Sequence, residues 1–517
     1  MSPTWSFKQF LFLLVLLVGK SFFASAQLNT VGREFYVGFL ENGRSLDTVN
    51  VQSEKAVLII TANEKSSGTI ETPKQTLSFD LAKGQQLIQE FDAISEGLIH
   101  AQSERVDRKF LHVISTGNIA VHALNGRAYS TGGTVVLPVE SLGLDYMVMS
   151  HHEKAFVSNS PLNHTTLESS MVVVGTDDNT EIEILPSART QTGIPINYSL
   201  KITLNKGESY QIKSDGDLSG TRVRVLNDND SNCKNVAVFA GNRMSSSGEC
   251  GTTGDHFFQQ SFPTKTWGKS FIHVPQKDRT SGEFVKVLAL ENGTDVFVNG
   301  TLETRLNAGK FIRLEFGKNE VALIKTSKPS SVAVISKSGF CNEFFAASLG
   351  DPNFFSYSPS EQMIKEIQFS TGLLYGRFNL SITHFVNIIV PKGAAGKTIL
   401  NGQNIGGQFK SIPGSEFEYA QVQIPEGVNS LLNSEGFIAY VYGSGQIESY
   451  GFVVGTGVAS IQYETETAYP FEVVGNRVAC LNQEGSWEIF PENQDYTEFT
   501  WSFGDNTPVI EGNKVLH

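Results

Sequence analysis

Few places in this sequence could carry chemistry. His151-His152-Glu153 holds the only adjacent pair of histidines. Neighbouring residues of a strand point to opposite faces, and the His-Glu-x-x-His spacing that would aim two rings at one zinc is missing. The three residues are therefore expected in a surface loop. Asp255-His256 could be a catalytic or metal-binding dyad. Phe257, Phe258 and Phe262 crowd it, and no Gly-x-Ser-x-Gly elbow supplies a nucleophile, so a packed structural loop is the expectation. Asp228-Asn-Asp230-Ser-Asn232 begins like a calcium loop. Cys233 then stands where that loop needs its sixth-position Gly and Phe239 where it needs its Glu, so it is no EF-hand. Asp177-Asp178 and Asp215-Gly-Asp217 fit hairpin turns. These residues specify no catalytic set, no metal centre and no cofactor.

The elements that would position such residues are strands. Amphipathic helical periodicity is nearly absent, and short alternating apolar runs bounded by Gly, Asn, Asp and Pro recur. The chain has 517 residues, 40% hydrophobic and only 18% charged, enough apolar material for a core. Lys+Arg number 40 against Asp+Glu 53, so no basic excess exists to neutralise nucleic-acid phosphates. Four cysteines in this length exclude a disulfide-dense small scaffold. The length suggests roughly three to four domains.

The N-terminus has the pattern of a secretory leader. Lys8 precedes the apolar run Phe10–Val18, and Ala24-Ser25-Ala26 offers a small-x-small cleavage site before Gln27. The run is too short for a bilayer, which takes about 20 apolar residues. Residues 1–26 are expected to be removed, and residues 27–517 are expected to hold no transmembrane segment. The mature chain is then secreted, extracellular or displayed at the cell surface. Export permits disulfides. Cys233, Cys250, Cys341 and Cys480 allow three pairings. Cys233 and Cys250 flank one apolar strand and its following loop, which makes a local Cys233–Cys250 pair the candidate, with free thiols as the alternative. Sequons stand at Asn163, Asn197, Asn229, Asn292, Asn299 and Asn379 and matter only in a glycosylating host.

The strands repeat as a unit. Leu81-Ala-Lys-Gly84, Leu204-Asn-Lys-Gly207, Leu306-Asn-Ala-Gly309 and Ile424-Pro-Glu-Gly427 share one pattern, whose Gly would take φ > 0 in a tight turn. An apolar strand, a turn and a second strand precede each copy. A strand centred on Ala follows: Ile119-Ala-Val121, Val236-Ala-Val238, Val332-Ala-Val334 and Ile438-Ala-Tyr440. A small central residue predicts close packing against another sheet. The period of about a hundred residues exceeds a solenoid coil and suits a β-sandwich. The fold expected is all-β, with four related units over approximately 27–140, 141–270, 271–365 and 366–460, packed in tandem without flexible linkers. A propeller-like closed ring of the same units is the alternative.

Specific residues carry a resemblance. Val236-Ala-Val-Phe-Ala-Gly-Asn242 leads to Asp255-His256, Pro263 and Trp267-Gly268, and the next copy leads to Asp351-Pro352. This pattern resembles the amino-terminal domain of IgGFc-binding proteins, over roughly residues 30–460. The resemblance implies an extracellular binding domain. Family members commonly have a cysteine directly before Asp-His; here Gly254 is there and Cys250 lies earlier. The family name reports Fc binding by an animal member, and a shared domain alone does not transfer that activity. Near the C-terminus, Trp501-Ser-Phe503-Gly504-Asp505 is similar to the signature of PKD domains, an immunoglobulin-like sandwich of surface and secreted proteins. Residues 470–517 are too few for such a sandwich, so a truncated one is expected. The function expected is adhesion or recognition of a glycoprotein, glycan or other surface protein, without enzymatic activity. An extracellular carbohydrate-active hydrolase and a structural spacer in a surface fibre are the competing readings.

Overall fold

Two kinds of apolar pattern build two kinds of strand. Thr180–Leu185 alternates buried and more exposed residues, and Phe311–Phe316 alternates exposed and less exposed ones. Ser169–Gly175 and Glu283–Ala289 are buried along their whole length. Alternation marks a sheet with one wet face, and an unbroken apolar run marks a strand covered on both faces. The computed structural model describes residues 29–43, 54–100, 102–127, 129–153, 168–226, 234–250, 253–343, 349–374, 382–459, 461, 463–468, 486–491, 497–501 and 508–516.

The strands form successive pairs of antiparallel sheets. In one such pair, Ser270–His273, Ala322–Thr326, Thr294–Val298 and Thr301–Leu306 lie in that order in the first sheet. Phe311–Phe316, Glu283–Ala289, Ser330–Ser336 and Phe354–Ser356 make the second. The preceding stretch repeats the order, with Val106–Asp107 added at one edge. In the first and last stretches the long strands Leu111–Arg127 and Val428–Gly445 each pass from one sheet into its partner and so link the two. These are β-sandwiches, as the period implied. The turn glycines Gly84, Gly207, Gly309 and Gly427 have φ of +81°, +74°, +71° and +93°, the left-handed region that the repeated pattern required. Ala120, Ala237, Ala333 and Ala439 are all buried.

The sandwiches close on one another. The last strand of each, Ser130–Val136, Gly254–Gln260, Phe354–Ser356 and Glu448–Gly455, faces inward. Ser130–Val136 packs against both Gly254–Gln260 and Glu448–Gly455, and Phe354–Ser356 packs against the same two. Of the two expected architectures, the sandwich supplies the unit and the ring supplies the arrangement. The core shows the same circuit. On Lys55–Ala62, the side chains of Ala56, Leu58 and Ile60 enter the core of the first sandwich, while Val57 and Ile59 enter the core of the fourth. Val172 and Val174 join the first core, and Met171 and Val173 stay with the second. Phe284 and Leu288 meet Met147, Met149 and Phe257 between the second and third. Ile389 and Tyr440 of the fourth pack in the core of the third. Each fully buried Val, Leu or Ile contributes about 1.5–3 kcal/mol, so sandwiches and ring are stabilised by the same strands.

Candidate functional site at the inner strands

The residues that carry the family resemblance meet around the inner strands and act as joints. Asp255 sits near the start of Gly254–Gln260, fully buried. Its Oδ1 accepts the Thr131 N–H at 2.7 Å, tying the second sandwich to the first, and also the N–H of His256 at 2.7 Å. The His256 N–H further reaches Ser130 Oγ at 3.1 Å. The His256 ring stacks near Phe258 with Nδ1 3.2 Å from Arg243 O, and burial pushes its pKa down to about 4. It is a packed side chain that burial holds neutral.

Gly350-Asp351 repeats Gly254-Asp255 one sandwich later. Ser449 Oγ donates to the Asp351 carbonyl at 2.7 Å and lies 3.3 Å from its carboxyl Oδ1, fastening the third sandwich to the fourth. Arg279 donates to the carbonyls of Leu349, at 2.7 Å, and of Asp351, at 3.1 Å, and so holds the backbone that presents this carboxyl. Glu448 begins the strand that Ser449 continues and is likewise fully buried. Burial lifts the Asp255 pKa well above the carboxylate range, with Asp351 and Glu448 adding like-charge repulsion.

The joint between the second and third sandwiches is covalent. Cys250 bonds to Cys341, 91 residues on. This overturns the expected Cys233–Cys250 pair; Cys233 itself lies outside the described residues. The chain before the inner strand turns toward the next sandwich, where Ser338 Oγ donates to Thr253 O at 2.7 Å and Ser338 N–H to Ser247 O at 2.7 Å. That pairing of loops brings Cys250 to the turn Gly339–Cys341.

Trp267, Gly268 and Pro263 form another repeated contact. A Cβ on Gly268 would lie 2.4 Å from Pro359 Cβ, one on Gly143 2.6 Å from Pro263, and one on Gly32 2.4 Å from Pro138. Glycine at each place allows backbone and proline ring to touch. Trp267 donates to Phe262 O at 3.2 Å. A small, partly open cleft lies beside it, between Phe271, Ser331, Tyr357, Pro359 and Gln362, and none of the described residues lining it is charged. Pro352 continues the Gly350-Asp351 turn and is buried.

Other expectations fare differently. His151 is buried, contrary to the surface loop expected for it; its Nε2 is 3.1 Å from Glu153. Apolar packing against Phe257 draws the ring inward. Residues 228–232 lie outside the described residues. So do Phe503, Gly504 and Asp505; Trp501 donates to Gly512 O at 2.7 Å. Among the described residues, no three His, Cys, Asp or Glu side chains are disposed to hold a metal ion. No helix there is long and apolar enough to cross a membrane. Glu448, Ser130 and Arg279 carry no local motif that marks them. The repeated Gly-Asp dipeptide, at matching places in two successive copies, was the signal that could have found them.

The human IgGFc-binding protein is 24% identical over 424 residues, which cover 79% of this chain. The chain spans only 7% of that relative's length. Among solved structures, a Ca2+-stabilized adhesin of an Antarctic bacterium that binds ice aligns over 82% of this chain and 98% of that one, with 10% identity and a TM-score of 0.11. The model of the IgGFc binding protein family matches residues 132–443, more than half of the chain, and the stretch includes Asp255, Asp351 and the Cys250–Cys341 bond. The chain belongs to the IgGFc-binding protein family.

Proposed function

We propose that this chain is a secreted or cell-surface binding protein, acting in adhesion or recognition of a glycoprotein, a glycan or another surface protein. One observation carries this reading. The residues that carry the family resemblance are spent on joints inside the ring: Asp255, Asp351 and Gly268 fasten one sandwich to the next. What such a ring offers to a partner is its rigid exterior of hairpins and loops, which is a recognition surface. In the same reading, residues 1–26 are a leader cleaved near Ala26, and the region from 470 begins a PKD-like domain. The human relative's name attributes Fc binding to that protein, and the Fc region is accordingly one ligand to try.

The test is to secrete the chain from its own leader, sequence its new N-terminus, and probe arrays of glycans, mucins and immunoglobulin Fc. Saturable binding to one class supports the proposal. Silence on every array, or turnover of a glycoside or peptide substrate, overturns it.

A further inference from the structure

We propose that the loop 186–199 of the second sandwich is the contact surface for a protein partner, whose matching feature is an apolar pocket beside a carboxylate. This deepens the reading of the chain as a binding protein and rests on it. The loop joins Thr180–Leu185 to the edge strand Leu200–Leu204. The other three sandwiches carry the same edge hairpin, and there the connections are only residues 72–75, 299–300 and 401–402. Those are ordinary hairpin lengths. Residues 186–199 are a long insertion into one copy, and an ordered loop of that length in a compact protein is usually functional.

The insertion is folded and anchored. Thr190 N–H donates to Ile194 O and Gly193 N–H to Thr190 O, both at 3.0 Å, and Asn197 N–H donates to Pro186 O at 2.8 Å. Further bonds hold it to the sandwich: Gln191 N–H to Lys213 O at 2.9 Å, Ser214 Oγ to Arg189 O at 2.7 Å and Ser187 N–H to Thr221 Oγ1 at 3.0 Å. At its tip Tyr198 N–H donates to Pro195 O at 3.2 Å, closing a tight turn with Asn197 at φ +60°. That turn presents Ile196 and Tyr198, each 56% exposed. Among the described residues, Tyr198 is the most exposed aromatic side chain. An anchored loop gives up little conformational freedom on binding, so these two side chains are preformed anchors.

The chemistry of the loop selects the partner. Most of its polar side chains are engaged within the protein. Gln191 Nε2 donates to Asp215 Oδ1 at 2.7 Å, Ser199 Oγ to Glu183 Oε1 at 2.5 Å and Thr192 Oγ1 to Glu104, while Thr190 Oγ1 accepts the Ile194 N–H at 3.0 Å. What faces outward is Pro195, Ile196 and Tyr198, with Asn197 among them. A sugar buried there would find few groups to satisfy its hydroxyls, whereas an apolar pocket on a polypeptide matches the tip directly. The loop contains no Asp or Glu, in a chain where acids outnumber bases 53 to 40, and its one charge is Arg189. Arg189 is exposed, is in no ion pair among the described residues, and lies close to Gly193, just before the tip. A carboxylate beside the pocket would complement it.

The experiment measures binding of the full secreted chain, made in a host that does not glycosylate Asn197. The probes are immunoglobulin Fc, a mucin, the same mucin stripped of its glycans, and those glycans free. The variants are Ile196→Ser/Tyr198→Ser, Arg189→Glu and Leu302→Ser, the last a residue 55% exposed on the edge hairpin of the third sandwich. All three change exposed side chains and should keep the wild-type melting temperature. The expected result is binding to Fc or to the stripped mucin. Ile196→Ser/Tyr198→Ser should weaken it about thirtyfold or more, Arg189→Glu should weaken it less, and Leu302→Ser should leave it unaltered. Amide exchange at residues 196–199 of the wild type should slow on adding the bound probe, a readout that depends on no variant. Equal binding by wild type and Ile196→Ser/Tyr198→Ser, with no slowing at 196–199, overturns the loop and leaves the proposed function standing. Binding confined to the intact mucin and the free glycans overturns the protein partner in the same way. So does self-association of the wild type that Ile196→Ser/Tyr198→Ser abolishes, which would make the occupant a second copy. Silence on all four probes overturns both proposals.

Discussion

Thr30 and Thr456, 426 residues apart, are hydrogen-bonded to each other twice. The Thr30 N–H donates to Thr456 O at 3.1 Å, and the Thr456 N–H donates to Thr30 Oγ1 at 3.2 Å. The backbone bridge between Asn29 and Gly457 lies beside them. This is the seam at which the first and last sandwiches complete the circuit. Thr30→Pro removes one of the donors and one hydroxyl. Two hydrogen bonds of this kind are worth about 1 kcal/mol each. The variant should melt lower by several degrees, and limited proteolysis should cut it first near residues 30 and 456.

The Cys250–Cys341 bond closes a loop of 91 residues. The chain-entropy relation assigns such a loop roughly 4–5 kcal/mol. Peptide mapping without reduction should recover Cys250 joined to Cys341. Cys250→Ser and Cys341→Ser should each lower stability by a similar amount and add nothing to one another, while Cys233→Ser should leave the Cys250–Cys341 peptide in place. A mapped Cys233–Cys250 peptide would contradict the structure.

Lys286 is buried, and its Nζ lies 2.6 Å from Asp217 Oδ2 and 2.8 Å from both Ser150 O and Ser219 Oγ. It also lies 3.7 Å from the centroid of Phe311. The ammonium joins the second sandwich to the third and holds the Asp217 carboxyl down to about 2. Lys286→Met should cost about 3–5 kcal/mol, because it leaves Asp217 buried without its cation. Adding Asp217→Leu should return much of that loss. Denaturant titration of the two variants separates a pair cost from simple loss of packing.

Acid should destabilise the ring through its buried histidines. Burial lowers the pKa of His100, His122 and His256 to about 4 and that of His273 to about 3. Groups of this kind favour the fold above their unfolded pKa near 6.5 and withdraw that support as pH falls toward the folded values. Melting temperature should therefore fall as pH drops from about 6.5 to 4. His122→Asn should reduce the acid loss. A melting temperature constant across that range would contradict the assignment of neutral buried imidazoles.

Much of the unit was legible in the sequence because local rules decide it. The four glycines after Leu81, Leu204, Leu306 and Ile424 are in left-handed turns, since only that geometry joins the two strands so tightly. The strand alanines are packed between sheets. The closure was not decided by local rules: nothing near Thr30 in sequence indicates Thr456. The disulfide failed for the same reason. Nearness along the chain favoured Cys233 for Cys250, but the loop is steered by Ser338 and Thr253 across a contact between sandwiches. The polar neighbours of His151 point to a surface loop, but its burial comes from Phe257 on a strand distant in sequence.

The strand Lys55–Ala62 has a consequence for cutting or recombining this protein. Its Leu58 and Ile60 belong to one core and its Val57 and Ile59 to another, so no border between sandwiches passes through solvent. A single sandwich expressed alone would present an apolar sheet to water and would aggregate. The four units are alike in plan, but one cannot be traded, added or removed without baring such a face. The smallest piece that can be handled, shortened or grafted is the entire circuit.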